Sequence, residues 1–250
     1  MIIKTGTVPN KGWNNRDVFL LLAGVFYCVF FSHILLGFFR SRIENFFADG
    51  GQLFSVVFST FAFQGATVLL IALFLYTQSM SWKKAFGFHI GSPLTVLIQG
   101  FFLGVAAFPV SLFLVGLIRW ILESLQLGAE SQEVIKMLQQ KETGAWGQIV
   151  FIGVLSIFIA PIAEEILFRG VIYVHVRDMG FPKIAALGSA VLFGMVHSNT
   201  VAFVPLVLFA LFLILLYERY ANLIVCIAAH ASFNTANLLF SILLSGENMP

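Results

Sequence analysis

The sequence predicts an all-α fold, a polytopic transmembrane helix bundle of seven to eight spans that forms a single integral membrane domain over residues 1–250. First, 59% of the 250 residues are apolar, only 10% are charged, and the mean hydropathy is +0.95. Soluble domains carry about 25% charged residues, so a water-facing surface is excluded. Second, apolar runs of about 20 residues recur, each long enough for a bilayer core about 30 Å thick. Third, the tryptophans fall at the ends of these runs, as membrane-interface aromatics do.

The apolar runs place the spans in order along the chain. They are Val18–Phe39, Leu53–Tyr76, Leu94–Ile121, Ile149–Val174, Ile184–His197 with its continuation, Val201–Leu216 and Leu223–Leu244. The long third run gives an eighth span if it is broken, and Pro109 and Pro161 predict kinks within their spans. The connection over residues 123–147 has apolar residues at helical spacing between polar ones, which predicts a short amphipathic helix on the membrane.

Loop charges and small residues refine this arrangement. Lys and Arg are more numerous in the N-terminal tail and even-numbered loops than in the other loops, which favours a cytoplasmic N-terminus. The chain is compact, at 250 residues, and has no long loop domain, which favours a location in a prokaryotic plasma membrane. Gly100 and Gly104 have the GxxxG spacing that is typical of closely packed membrane helices, including helices that dimerise. A net charge of +2 predicts no nucleic-acid partner.

Three charged residues lie inside the fourth span, in the segment Pro161-Ile-Ala-Glu-Glu-Ile-Leu-Phe-Arg169. Each costs about 2.5–3.5 kcal/mol near the membrane centre, so they need partners or a water-filled cavity. Glu165 and Arg169 are four residues apart in the order that favours an ion pair, and we assign them to structure. Glu164 points about 100° away from Glu165 around the helix, and we assign it to chemistry. The alternative is that both acids only lock neighbouring helices together.

Two further polar pairs lie one helical turn apart, Phe193 with His197 and His230 with Asn234. Interhelical hydrogen bonding is the commoner use of His and Asn in membranes and is the alternative for each pair. However, Glu164, His197 and His230 are at about 20, 21 and 17 Å from the same charged membrane face, at 1.5 Å per helical residue. This agreement in height predicts that three helices contribute to one buried site.

Such a site suits hydrolysis of a peptide bond. Glu164 with His197 can activate water, and His230 with Asn234 can stabilise the oxyanion of the tetrahedral intermediate. Alternatively, Glu164, His197 and His230 can hold Zn²⁺ with one position open for water. The spacing of these residues leaves both schemes open.

At these segments the sequence resembles the CAAX protease and bacteriocin-processing (CPBP, or Abi) family of intramembrane endopeptidases. The family pattern EExxxR, FxxxH and HxxxN reads here as Glu164-Glu165-x-x-x-Arg169, Phe193-x-x-x-His197 and His230-x-x-x-Asn234, within residues 146–244. The resemblance implies catalytic roles for Glu164, His197, His230 and Asn234, and supporting roles for Glu165, Arg169 and Phe193. Family members are described both as glutamate-dependent and as metal-dependent, so no cofactor beyond a possible Zn²⁺ follows.

The resulting expectation is an endopeptidase acting on a membrane-associated peptide or protein, with the lipid bilayer as its other partner. Removal of a prenylated CAAX tail does not follow from the motifs. A proton- or ion-coupled transporter is an alternative, because buried Glu and His also form proton relays, although no internal repeat is present. A non-catalytic immunity or scaffold protein that keeps the site as a structural network is the third possibility.

Overall fold

The computed structural model describes residues 8–47, 51–88, 91–127 and 146–247, and every regular element in these ranges is a helix. Helix α1 is Asn15–Phe47, and α2 comprises Gly51–Thr60, the π-helical turn Phe61–Gly65 and Ala66–Thr77. Next come the short α3, Trp82–Phe86, and the long α4, Pro93–Ser124. Helix α5 runs from Trp146–Val154 through Leu155–Ile159, Ala160–Glu165 and Ile166–Tyr173 to Val174–Asp178. Helices α6, α7 and α8 are Pro182–Val196, Phe203–Tyr220 and Leu223–Glu247.

The predicted all-α, polytopic fold is confirmed, and six of the described helices are long and apolar enough to cross a membrane. They are α1, α2, α4, α5, α7 and α8. The predicted fifth span forms α6, which is apolar but has 15 residues. At 1.5 Å per residue α6 is about 22 Å long, which is shorter than a bilayer core of about 30 Å. Helix α6 is therefore a seventh, shorter apolar helix of the bundle.

The condition set for an eighth span is not met, because the third run forms one continuous helix, α4, with Pro109 in its interior. No eighth span arises from it. The amphipathic helix predicted over residues 123–147 falls mainly in 128–145, outside the described residues. Helix α4 itself ends at Ser124.

Helix α5 is irregular where it carries the charged residues. The π-helical turn Leu155–Ile159 comes directly before Ala160–Glu165, and a second π-helical segment, Ile166–Tyr173, follows. Pro161 has no backbone N–H and its ring crowds the preceding turn, which accounts for the irregularity before it. Because a π-helical turn inserts an extra residue, it changes the direction of the side chains that follow.

Two glycines bring α4 and α8 into close contact. A Cβ on Gly100 would collide with the carbonyl oxygen of Val225, and one on Gly104 would collide with the carbonyl oxygen of Ala229. The hydroxyl of Ser232 also donates across this contact to the carbonyl oxygen of Phe101 at 2.9 Å. The GxxxG spacing therefore serves helix packing within this chain.

The interior of the bundle lies around the second half of α5, with α7 and α8 beside it. Val171, Leu213 and Val225, one from each of these helices, are fully buried. Many large apolar side chains of α1 and α4, such as Phe19 and Phe102, are exposed. Exposed apolar surface of this extent on helices that can cross a membrane is suited to lipid contact.

Candidate active site

The Glu165–Arg169 ion pair is the most buried charged feature of the described structure. Nη1 of Arg169 lies 2.9 Å from Oε1 of Glu165, and both residues are 0% exposed. The guanidinium also lies 4.4 Å from the ring centroid of Phe193 on α6, a cation–π contact. The i,i+4 ion pair predicted from the sequence is thus formed, and it joins the first motif to the second.

His230 is held in place by the same carboxylate. Its Nδ1 lies 2.8 Å from Oε1 of Glu165, and its ring packs edge-on against Phe193 and Phe209. Because an ionised carboxylate can only accept, Nδ1 is the donor in this hydrogen bond. The bond fixes the orientation of the imidazole and leaves Nε2 facing the other way.

Glu164 approaches that second nitrogen. Its Oε2 lies 3.8 Å from Nε2 of His230, and the residue is 7% exposed, in contrast to the completely enclosed Glu165. The two adjacent carboxylates therefore face opposite nitrogens of one imidazole. Both side chains are buried in the bundle, so Glu164 does not face lipid. Glu165 is therefore the structural carboxylate, paired with Arg169, whereas Glu164 keeps a small exposed fraction.

His197 lies directly after the last residue of α6. It is the C-cap residue of this helix, it is exposed, and its Nδ1 donates to the carbonyl oxygen of Phe193 at 2.7 Å. Its ring lies 4.7 Å from the Phe193 ring, which His230 also contacts at 5.7 Å. The two imidazoles thus share one phenyl ring as neighbour, and it is His230 that lies beside Glu164.

Asn234 lies one turn after His230 on α8 and makes an interhelical hydrogen bond. Its Nδ2 donates to the carbonyl oxygen of Ser156 at 2.8 Å. Ser156 belongs to the π-helical turn Leu155–Ile159, where the backbone departs from regular α-helical bonding. One hydrogen of the Asn234 amide is therefore used to hold α5 against α8, and the second remains for another acceptor.

The residues predicted as zinc ligands do not form a ligand set in this geometry. Among the described residues, no three His, Cys, Asp or Glu side chains come together as a metal site. Glu164 and His230 are neighbours, but His197 donates from Nδ1 to a backbone carbonyl at the end of α6. A zinc ion needs at least three protein ligands around one point, so we derive no step through a metal. Dependence on Zn²⁺ stays a prediction.

The sequence interpretation missed two residues that contact or border this site. Phe209 of α7 packs against His230 and stacks on Phe233 with ring centroids 4.0 Å apart. The chain has 29 phenylalanines, so no sequence signal could have singled it out. Gln64 of α2 lies in a helical segment that packs against Ala160–Glu165. An uncharged polar residue within an apolar span was the signal available for Gln64.

Comparison with known proteins supports the same reading of the C-terminal half. Residues 146–236 match the family model described as type II CAAX prenyl endopeptidase Rce1-like. No curated protein and no solved structure matches the chain.

The matched model describes an endopeptidase, and the six long apolar helices support an integral membrane protein. Residues 146–236 are similar to the type II CAAX prenyl endopeptidase Rce1-like family, in agreement with the resemblance seen in the motifs. The match begins with α5 and ends within α8, so it contains all three motifs. Helices α1 to α4 lie outside it.

Proposed function

We propose that this protein is an intramembrane endopeptidase that hydrolyses a peptide bond of a membrane-associated peptide or protein, with Glu164 as general base. One observation carries the proposal. The carboxylate of Glu164 lies 3.8 Å from Nε2 of a buried histidine whose other nitrogen is fixed by Glu165. A carboxylate and an oriented imidazole at this separation can both reach one water molecule, because each hydrogen bond needs about 2.8 Å.

The reaction then proceeds by general base catalysis. Glu164 takes a proton from water while the water oxygen bonds to the carbonyl carbon of the substrate. The carbonyl π-bond electrons move to its oxygen, and a tetrahedral oxyanion forms. When the intermediate collapses, the C–N bond breaks, and the proton held by Glu164 passes to the leaving nitrogen. The carboxylate is regenerated and no other reactant is consumed.

We assign His230 to the same proton-handling step, because its Nε2 faces Glu164. Asn234 is one turn away on α8, and its unused N–H is a suitable donor to the oxyanion. This division differs from the predicted pairing of Glu164 with His197. For His197 to assist Glu164, its ring would have to leave the hydrogen bond to the Phe193 carbonyl. A His197→Ala variant tests that separate role.

The proposal also includes an orientation. The N-terminal segment lies against the end of α5, where the backbone N–H of Lys11 donates to Oδ2 of Asp178 at 2.8 Å. Arg177 pairs with Glu218 of α7 at 2.8 Å on the same side. With the excess of basic residues on this side, we propose that it faces the cytoplasm of a prokaryotic cell.

The test uses the full chain in lipid nanodiscs with a library of quenched fluorogenic peptides, each anchored to the bilayer by an apolar tail. Wild type is compared with Glu164→Gln, which keeps the size of the side chain. The matched control is Glu218→Gln, which alters a carboxylate at the end of α7.

We expect Glu164→Gln to lower kcat by at least about 100-fold, in line with loss of a general base, while thermal unfolding stays near that of wild type. Glu218→Gln should retain cleavage. Cleavage that persists at the wild-type rate in Glu164→Gln would remove the proposal. Glu164-dependent proton uptake into liposomes, without any cleavage, would replace it with the transporter.

A further inference from the structure

Helix α2 carries an amide side chain in the middle of an apolar span. Gln64 lies within the apolar span Phe54–Thr77 and belongs to the π-helical turn Phe61–Gly65. Amides inside a membrane need hydrogen-bond partners, because lipid supplies none. Short π-helical turns within α-helices are frequent at functional sites. Both features single out this turn of α2.

The π-helical turn of α2 borders the candidate active site. Phe61–Gly65 packs against Ala160–Glu165, the segment of α5 that ends with the two glutamates. Helix α2 lies outside the Rce1-like match, and none of the three motifs involves it. The α5 segment that carries Glu164 is therefore packed on one side by the N-terminal half of the chain.

Two acceptor atoms on this helix are buried without a hydrogen bond. Oε1 of Gln64 and Oγ1 of Thr67 have no partner within the part of the chain that the structure describes, and Thr67 is fully buried. The residues are three apart in sequence, so they share one face of the helix. A buried oxygen without a donor is unfavourable, because it has lost its hydrogen bonds to water. Neither residue takes part in the ion-pair network of Glu165.

We propose that Gln64, with Thr67 beside it, accepts hydrogen bonds from main-chain N–H groups of the substrate next to Glu164. This inference rests on the proposed function. A peptide that enters a low-dielectric site must exchange hydrogen bonds to water for bonds to the protein. An amide oxygen that accepts from the main chain binds a peptide regardless of its side chains, so the contact orients the peptide bond for attack.

The experiment removes one N–H of the substrate at a time. The best-cleaved anchored peptide is compared with ester analogues, in each of which one N–H near the scissile bond is replaced by oxygen. We measure kcat/KM for wild type and for Gln64→Met, which keeps the length of the side chain but removes the amide. In wild type, one ester position should lower kcat/KM by about three- to ten-fold, the size expected of one neutral hydrogen bond.

Gln64→Met should lower kcat/KM for the parent peptide by a similar factor, and the sensitive ester should then have no further effect. Such non-additivity identifies the two groups as partners, whereas a structural effect of Gln64→Met would leave the loss at the ester unchanged. The matched control is Gln78→Met at the C-cap of the same helix, where the amide donates to Asp17 at 3.0 Å. This variant should keep the wild-type pattern of ester losses.

Each result decides the inference. If Gln64→Met does not fold, two measurements remain. One is the ester scan of the wild-type protein, and the other is the same scan of Gln64→Glu, which keeps an acceptor oxygen. Ester losses that are equal in wild type and Gln64→Met, or absent from wild type, overturn the role of Gln64 and leave Glu164-dependent cleavage standing. Absence of any Glu164-dependent cleavage overturns both, so the two failures are distinguishable.

Discussion

Replacing Arg169 with methionine tests the charge network beneath the site. The guanidinium is fully buried, lies 2.9 Å from Glu165 and stacks on Phe193, so no water can replace it. Methionine fills much of the same volume without charge. The variant leaves the carboxylate of Glu165 buried, with the hydrogen bond from His230 as its remaining described contact.

The expected loss is large because only one partner is removed. Breaking a buried ion pair on one side costs about 3–5 kcal/mol, whereas replacing both charges by neutral groups costs much less. For a chain of this length, about 2–4 °C of Tm corresponds to 1 kcal/mol, so Arg169→Met should lower Tm by about 6–20 °C. Adding Glu165→Gln to Arg169→Met should restore most of that loss.

The assay is thermal unfolding of the full chain in nanodiscs, followed by circular dichroism. Arg219→Met is the control, because Arg219 is exposed at the end of α7, and it should leave Tm nearly unchanged. The reasoning fails if Arg169→Met unfolds within 2 °C of wild type. It also fails if the double variant is less stable than Arg169→Met alone.

Three further outcomes follow from other contacts. Gly104→Ala should destabilise the bundle by about 1–3 kcal/mol, because its Cβ would meet the backbone of α8. Gly116 is on the same helix and has open space around it, so Gly116→Ala should be neutral or stabilising in the same unfolding assay. Asn234→Leu should lower the free energy of unfolding by about 0.5–1.5 kcal/mol, because the hydrogen bond to Ser156 is lost. If the second N–H of Asn234 stabilises the oxyanion, the same variant should lower kcat by about 100-fold or more, so unfolding and cleavage are measured together. Burial, followed by repulsion from a nearby arginine, lowers the pKa of Lys11 from 10.5 to about 8. Between these pH values the unfolded chain binds more protons than the folded chain, so the Tm of wild type should rise relative to that of Lys11→Met from pH 8 to 10.5. A difference in Tm that stays constant over this range would contradict the expectation.

The local features of the site could be predicted because helical periodicity determines them. Glu165 and Arg169 are one turn apart, and the ion pair between them needs only an α-helix-like backbone. Apolar run length likewise placed the spans, since the bilayer sets a minimum helix length. The α6 prediction Ile184–His197 differs from the observed Pro182–Val196 by two residues at one end and one at the other.

Tertiary contacts could not be predicted, because the spacing of residues on one helix carries no information about the neighbouring helix. His230 reaches both glutamates of α5 although it is 65 residues from Glu165 in sequence. Agreement in height along three helices placed His197 and His230 at one level, but it did not indicate which imidazole lies beside Glu164. The sequence marked Gln64 as a polar residue in an apolar span, but it could not show that this turn of α2 packs against α5.

The close seam between α4 and α8 has a practical consequence for work on the matched domain. Gly104 rests on the carbonyl of Ala229, the residue immediately before His230, so the depth at which that imidazole sits is set partly by a helix from outside residues 146–236. A fragment trimmed to the family match would expose the glycine-lined flank of α8 to lipid or detergent. We therefore expect expression trials to succeed with the intact chain and the excised domain to aggregate.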